Sequence, residues 1–198
     1  MIADRFNRVG RPQAGVAILA VLLAAVALPA PVARADEDTR ELVELSPDIR
    51  DRFLAEMRLD LTNLNDVIAA IAAGDYEDAA RIAERRMGLA YRRIERMEQR
   101  GASDAEIAAA IKEIRAMAEE HGTDMPMPGH GRGMGLGRFI PEDLGALGMT
   151  FHSTAYPLAD AARAVGVTPS GENFQKLLSA LGDMTVSCVG CHEVYRVR

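Results

Sequence analysis

Residues 170–198 read SGENFQKLLSALGDMTVSCVGCHEVYRVR and decide the fold class. Ser170 is a favoured helix N-cap, and the apolar residues after it recur at alternating steps of three and four. This stripe comprises Phe174, Leu177, Leu181, Met184, Cys188, Cys191 and Tyr195. The spacing predicts one long amphipathic helix near the end of the chain, with an apolar face that neighbouring helices have to cover.

Two further helices are predicted at the start of the domain. The first begins with Ser46 as N-cap and Pro47 in its first turn, and Gly74 with Asp75 closes it. Its stripe comprises Ile49, Phe53, Met57, Leu61, Leu64, Ile68 and Ile71. The second follows at once and ends at Gly101, with the stripe Ala79, Ala83, Met87, Ala90, Ile94 and Met97. The short turn between them predicts an antiparallel hairpin.

The middle of the chain completes the pattern. A shorter helix begins at Ser103, which forms a capping-box pattern with Glu106. Residues 122–137 are rich in Gly, Pro and Met without apolar periodicity, which predicts a loop. Helical spacing resumes after Pro141, in a helix that Pro157 should kink. Almost no stretch alternates every second residue, so we expect no sheet and an all-α fold: an antiparallel four-helix bundle with one short extra helix and a long Gly/Met/Pro loop.

The first 35 residues have the pattern of an export signal. Three arginines precede an uncharged apolar run at 14–28 (AGVAILAVLLAAVAL), and residues 33–35 (ARA) form an A-x-A cleavage site. The run is shorter than the about 20 apolar residues that a membrane anchor needs. We therefore expect residues 1–35 to be a signal peptide, residues 36–198 to form the mature domain, and the protein to be exported to the periplasm.

Charge and cysteine content exclude several classes of protein. Residues 36–198 carry 19 basic and 28 acidic residues, a net charge of −9, and such an acidic domain is a poor nucleic-acid binder. The two cysteines lie too close together to staple distant parts of the chain. No general acid, nucleophile or substrate pocket stands out, so we do not expect an enzyme that turns over a substrate.

The motif that carries chemistry is Cys188-Val189-Gly190-Cys191-His192. CxxCH is the attachment signature of a c-type haem, in which both thiols bind the macrocycle and the histidine becomes an axial iron ligand. A redox dithiol is one alternative, but such thiols usually lie at a helix N-terminus. Half of a zinc site is another, and it would need two more ligands. The motif predicts one covalently bound haem c.

CxxCH on the last helix of an exported bundle, followed by Tyr195 and Arg196 in CVGCHEVYR, resembles the cytochrome c-prime superfamily. The resemblance covers about residues 46–198. It implies that His192 is the proximal ligand, with Tyr195 and Arg196 close to the haem. High-spin members leave the sixth position open and bind small gases, whereas low-spin members fill it with a methionine of the first helix.

The stretch Phe53-Leu54-Ala55-Glu56-Met57 is similar to the low-spin pattern, which implies Met57 as the sixth ligand. Four other helical methionines remain open as alternatives from the residues alone: Met87, Met97, Met149 and Met184. His152, beside Phe151, is a further candidate ligand, although a hydrogen-bonded core or rim histidine is the favoured interpretation.

These features predict an electron carrier that moves single electrons between redox proteins. One alternative is a five-coordinate cytochrome c-prime that binds nitric oxide or carbon monoxide. Another is an exported copper-binding protein, whose soft ligands would be His121, Met125, Met127, His130 and Met134. The negative charge predicts a basic redox partner that docks near Glu56 and Glu193. A homodimer is an open option, and no membrane contact is expected after signal cleavage.

Overall fold

The computed structural model describes residues 38–121 and 136–198, without the side chain of His121. The predicted signal peptide and most of the predicted loop lie outside these residues. Helices dominate the described part of the chain, so the prediction of an all-α class is confirmed. They are α1 (Pro47–Ala73), α2 (Tyr76–Ile82), α3 (Tyr91–Gln99), α4 (Asp104–His121), α5 (Glu142–Val167) and α6 (Gly171–Val194).

Local capping signals explain most of the helix ends. Gly74 has a left-handed backbone with φ of 77°, and its amide donates to the Ile71 carbonyl at 3.0 Å, which stops α1. Asp75 then caps α2 by accepting a hydrogen bond from the Asp78 amide at 3.0 Å. The predicted tight turn between the first two helices is therefore confirmed.

The helices on either side of the predicted loop also begin as the sequence indicates. Ser103 and Glu106 form the predicted capping box, although α4 has 18 residues and is not a short helix. The helix after Pro141 is α5, which continues through Pro157 to Val167. Ser170 caps α6 by accepting a hydrogen bond from the Asn173 amide at 3.1 Å.

The predicted second helix is wrong in one respect, because the structure divides it. After α2 the chain forms a π-helical turn over Ala83–Met87, becomes extended at Gly88 and resumes as α3. A Cβ atom at Gly88 would lie 2.5 Å from the Glu84 carbonyl oxygen and 2.9 Å from the Tyr156 ring. The apolar spacing continues across this break, so the stripe alone could not reveal it.

The expectation of no sheet is also wrong. Strand β1 (Glu41–Val43) pairs in parallel with strand β2 (Tyr195–Val197), and Glu41 lies opposite Tyr195. The last helix thus ends at Val194, and Tyr195 belongs to β2 rather than to the helical stripe. Three-residue strands are too short to show an alternating pattern, and their pairing depends on contacts between the two ends of the domain.

The buried side chains form one main core and two smaller clusters. The main core joins α1, α2, α5 and α6 and is rich in alanine, which lets the helices approach closely; it includes Val67, Ala70, Ala79, Ala80, Ala83, Leu158, Ala159, Ala162 and Leu177. A second cluster joins α3, α4 and α5 around Ile94, Ile107 and Tyr156. The third is small and comprises Val43, Leu144 and Tyr195.

Candidate haem-attachment site

The two cysteines lie in the last turns of α6 and face the interior. Both thiols are unpaired and half-buried. Cys188 packs against the main core, which contains Phe151 and Met184. Cys191 packs against the small cluster of Val43, Leu144 and Tyr195. The three-residue spacing therefore presents both sulfur atoms on the inner side of one helix.

Burial favours the protonated form of both thiols. It raises the pKa of Cys188, and the nearby Asp60 charge raises it further. It likewise raises the pKa of Cys191, with a smaller contribution from Cys188. A redox dithiol needs a thiolate, which a lowered pKa would favour, so this environment disfavours that interpretation of the motif.

His192 differs from the cysteines in burial. Its side chain is exposed, although it directly follows Cys191 in the last turn of α6. Its backbone carbonyl accepts a hydrogen bond from Arg40 Nη1 at 3.2 Å. The described structure thus turns both thiols inward and leaves the imidazole accessible on the side of the helix.

Met57 lies in the part of α1 that is beside the CxxCH motif, but it is outside the buried core. On one side of it in α1, Phe53 packs against the cluster that includes Cys191. On the other side, Asp60 is near enough to Cys188 to raise the pKa of that thiol. The Met57 side chain is 37% exposed. Its neighbours in α1 thus lie close to both cysteines, while Met57 itself is partly exposed.

The predicted stripe of α1 is wrong in its rotation. Leu61 and Ile68 were expected to face inward but are 67% and 46% exposed. The helix instead buries Asn63, Leu64, Val67 and Ala70. Asn63 can occupy an inward position because its side-chain amide donates a hydrogen bond to the Arg86 carbonyl at 3.4 Å.

A group of polar side chains lines the interior near Cys188. Burial raises the pKa of Asp60 to about 6, and the Asp60 charge contributes to a raised pKa of Tyr91. The Tyr91 hydroxyl accepts a hydrogen bond from Arg92 Nε at 2.9 Å, and Arg92 forms an ion pair with Glu56. Sequence reasoning missed Asp60, Tyr91 and Arg92 as neighbours of the motif. The available signal was Asp60 itself, a carboxylate three residues beyond Met57 and between Leu59 and Leu61.

His152 belongs to the same region. Its ring stacks on Tyr91 with the centroids 5.2 Å apart and meets Phe151 edge-on at 5.2 Å. Its Nδ1 donates to the Met87 carbonyl at 2.8 Å. This geometry agrees with the favoured interpretation of His152 as a hydrogen-bonded histidine at the edge of the core.

The structure places the remaining candidate residues at different positions. Arg196 Nε donates to the Arg40 carbonyl at 3.2 Å, so its guanidinium is held on β1, and Tyr195 is buried in β2. Glu193 is exposed, whereas Glu56 is partly buried and paired with Arg92. The four candidate copper ligands of the loop, Met125, Met127, His130 and Met134, and the side chain of His121, lie outside the described residues.

Residues 38–121 and 136–198 contain neither a clustered metal-ligand set nor a membrane-spanning helix. Within this part of the chain, no three His, Cys, Asp or Glu side chains are grouped so that they could hold a metal ion. No helix in the same part is long and apolar enough to cross a membrane.

The donor set near the end of α6 suits covalent attachment of a haem. Two unpaired, neutral thiols face inward three residues apart, and an accessible imidazole follows them. Apolar side chains at the same height, such as Leu54, Met57 and Val189, are exposed. A large apolar ring could cover such side chains with a gain in free energy. Comparisons of this chain with protein-family models, curated proteins and solved structures find no match.

Proposed function

We propose that residues 36–198 form an exported, periplasmic c-type cytochrome that transfers single electrons between redox proteins. Cys188 and Cys191 hold one haem covalently, His192 is its proximal ligand and Met57 is its sixth ligand. The observation that carries the proposal is the pair of half-buried, inward-facing thiols followed directly by an accessible imidazole. A haem, when bound, supplies the one-electron couple, and the polypeptide supplies ligands and environment.

The proposal includes an antiparallel four-helix bundle of the cytochrome c-prime kind. Its helices are α1, the divided α2–α3 segment, α5 and α6, and α4 is the extra helix, packed on α3 and α5. The β1–β2 pairing supports this arrangement, because it brings the start of α1 beside the end of α6. The turn at Gly74 supports it as well, because it reverses the chain between α1 and α2.

Each proposed ligand has a distinct task. The cysteines fix the macrocycle to α6, and burial keeps their thiols neutral until they react. His192 offers an accessible ring nitrogen. Met57 offers a soft thioether, which raises the reduction potential when it is paired with histidine.

The interior near Cys188 is suited to a bound group rather than to a continuous apolar core. Glu56, Asp60, Tyr91, Arg92 and His152 lie in this region, whereas the other half of the main core consists largely of alanine, leucine and valine. Polar residues that interrupt an apolar interior in this way are concentrated at functional sites.

The decisive experiment is expression in a host that matures c-type cytochromes. The wild-type protein should keep its haem through denaturing electrophoresis. The Cys188→Ala, Cys191→Ala double variant should lose it while keeping its helical circular dichroism, which shows that folding is not the cause. A colourless wild-type protein from such a host would overturn the proposal.

One observation favours a second candidate function. Met57 is 37% exposed, so the fold encloses its thioether only in part. A five-coordinate protein that binds nitric oxide or carbon monoxide would keep the attachment site and lack the methionine ligand. Absorption spectra of the oxidised and reduced protein separate the two functions, because only the electron carrier is low-spin in both states.

A further inference from the structure

We infer that Arg40 and strand β1 are positioning elements for His192, holding the backbone of the residue proposed to bind the iron. The role that we assign to this contact rests on the proposed function, whereas the contact itself does not. The segment that includes Arg40 lies at the start of the predicted mature domain, and His192 lies near its end. The contact thus joins the two ends of the domain at the candidate site.

The first step concerns the end of α6. The last carbonyl groups of a helix have no partner within the helix. Here the Tyr195 amide bonds to the Cys191 carbonyl, and Arg40 Nη1 donates to the His192 carbonyl at 3.2 Å. A cation at a helix C-terminus also interacts favourably with the helix dipole. Arg40 therefore caps α6 at the proposed ligand itself.

The second step is that Arg40 is itself held in place. Its carbonyl accepts a hydrogen bond from Arg196 Nε at 3.2 Å. The strand that follows it pairs with β2, and the Arg198 amide donates to the Val43 carbonyl at 3.3 Å. Val43 is buried with Tyr195 in the cluster that contacts Cys191. The cap on His192 is therefore part of a small anchored unit and not an isolated surface bond.

The third step concerns the imidazole. Because the His192 side chain is exposed, core packing does not determine its direction. Its position depends on the backbone of the last turn of α6. Residues 192–194, which follow Cys191, lead directly into β2. Because β2 pairs with β1 and Arg40 bonds to the His192 carbonyl, both limit how far this last turn can open. A loosened turn would let the imidazole move away from the face that carries the thiols.

The test uses the full-length mature protein with three substitutions. Arg40→Ala removes the cap, Arg40→Lys keeps a cationic donor, and Arg50→Ala is the control, because Arg50 pairs with its sequence neighbour Asp51 at 3.2 Å. Amide hydrogen exchange at residues 192–197 should become about threefold to tenfold faster in Arg40→Ala, as expected for the loss of one hydrogen bond of ordinary net strength. It should return toward the wild-type rate in Arg40→Lys. Unchanged exchange in Arg40→Ala, or equal acceleration in the control, would overturn the inference.

A second measurement separates positioning from general stability. When the haem-loaded Arg40→Ala protein is heated, its low-spin absorption should disappear at a lower temperature than its helical circular dichroism. In Arg40→Lys both signals should again disappear at the same temperature. Loss of both signals together would show that Arg40 only stabilises the fold and would refute the positioning role. Hydrogen exchange does not require haem, so a colourless protein would refute the proposed function while the exchange data still decide on the cap.

Discussion

At the scale of single residues, some features of the candidate site depend on local sequence and others on contacts between distant parts of the chain. The spacing of Cys188, Cys191 and His192 is local, so the sequence predicts the attachment motif directly. The neighbourhood of Asp60, Tyr91 and Arg92 depends on the rotation of α1 relative to α3 and α6, which apolar spacing did not predict correctly. The same rotation leaves Met57 at the edge of the core.

Met57 provides the first prediction at this scale. If its thioether is the sixth ligand, Met57→Ala should convert a low-spin protein into a high-spin one with a lower potential and new affinity for carbon monoxide. Met149→Ala is the matched control, because Met149 packs against the separate cluster of α3, α4 and α5 and should leave the spectrum unchanged. A conversion caused by Met87→Ala instead would assign the ligand to Met87, a buried methionine of the main core.

Asp60 provides a prediction about pH. Burial raises the pKa of its carboxyl from 3.8 to about 6, so the folded state binds the proton more tightly than the unfolded state does. Its ionisation therefore opposes folding, and this cost develops as pH rises from about 4 to about 6. Asp60→Asn should increase the free energy of unfolding at pH 7 by on the order of 1–2 kcal/mol and change it little at pH 4.

Urea unfolding at both pH values measures this effect. Asp183→Asn serves as a control, because Asp183 is an exposed carboxylate on α6. An equal gain at pH 4 and pH 7 would mean that packing, rather than ionisation, explains the change at Asp60.

At the scale of secondary-structure elements, local signals determine what can be predicted. The ends of α1, α4 and α6 follow from Gly74, from the Ser103–Glu106 box and from Ser170, all of which act within a few residues. The break before α3 could not be predicted this way, because it depends on Tyr156 of α5. Burial raises the pKa of Tyr156 to about 12, and its hydroxyl lies near the backbone of Leu89 and Ala90, just before α3.

Gly88 tests this account of the break. Gly88→Ala places a methyl group against the Glu84 carbonyl and the Tyr156 ring, so it should destabilise the protein by about 1–3 kcal/mol. Gly182→Ala is the control, because a Cβ atom there meets nothing within 4 Å, and it should stabilise α6 by up to about 1 kcal/mol. Thermal unfolding of both variants gives the comparison, and equal effects at the two positions would contradict the proposed steric cause.

At the scale of the whole molecule, charge governs the proposed encounter with a redox partner. Residues 36–198 have a net charge of −9, and attraction between exposed charges is screened beyond about 10 Å at 0.1 M salt. Of the two acidic residues proposed for docking, only Glu193 is exposed, since Glu56 pairs with Arg92. Electrostatic steering at the candidate site therefore depends on Glu193 more than on Glu56.

Salt dependence tests this steering. Electron transfer with a basic redox protein should slow as ionic strength rises, and Glu193→Lys should reduce the low-salt rate by about twofold to fivefold, a modest part of the usual range of steering effects. Glu119→Lys, an equal change of charge on the exposed side of α4, should have less effect. Rates that increase with salt would indicate a basic or apolar docking surface instead.

The pairing of β1 with β2 also has a consequence for the order of folding. Glu41 and its partner Tyr195 are separated by almost the whole domain, so their contact closes a very long loop and carries a correspondingly large entropic cost. While the chain is being synthesised, the first strand emerges before the helices and its partner emerges after them. A nascent chain can therefore complete the helices up to α5 before this pair exists. We expect the two ends of the domain to join in the final stage of folding, after the CxxCH segment has become available.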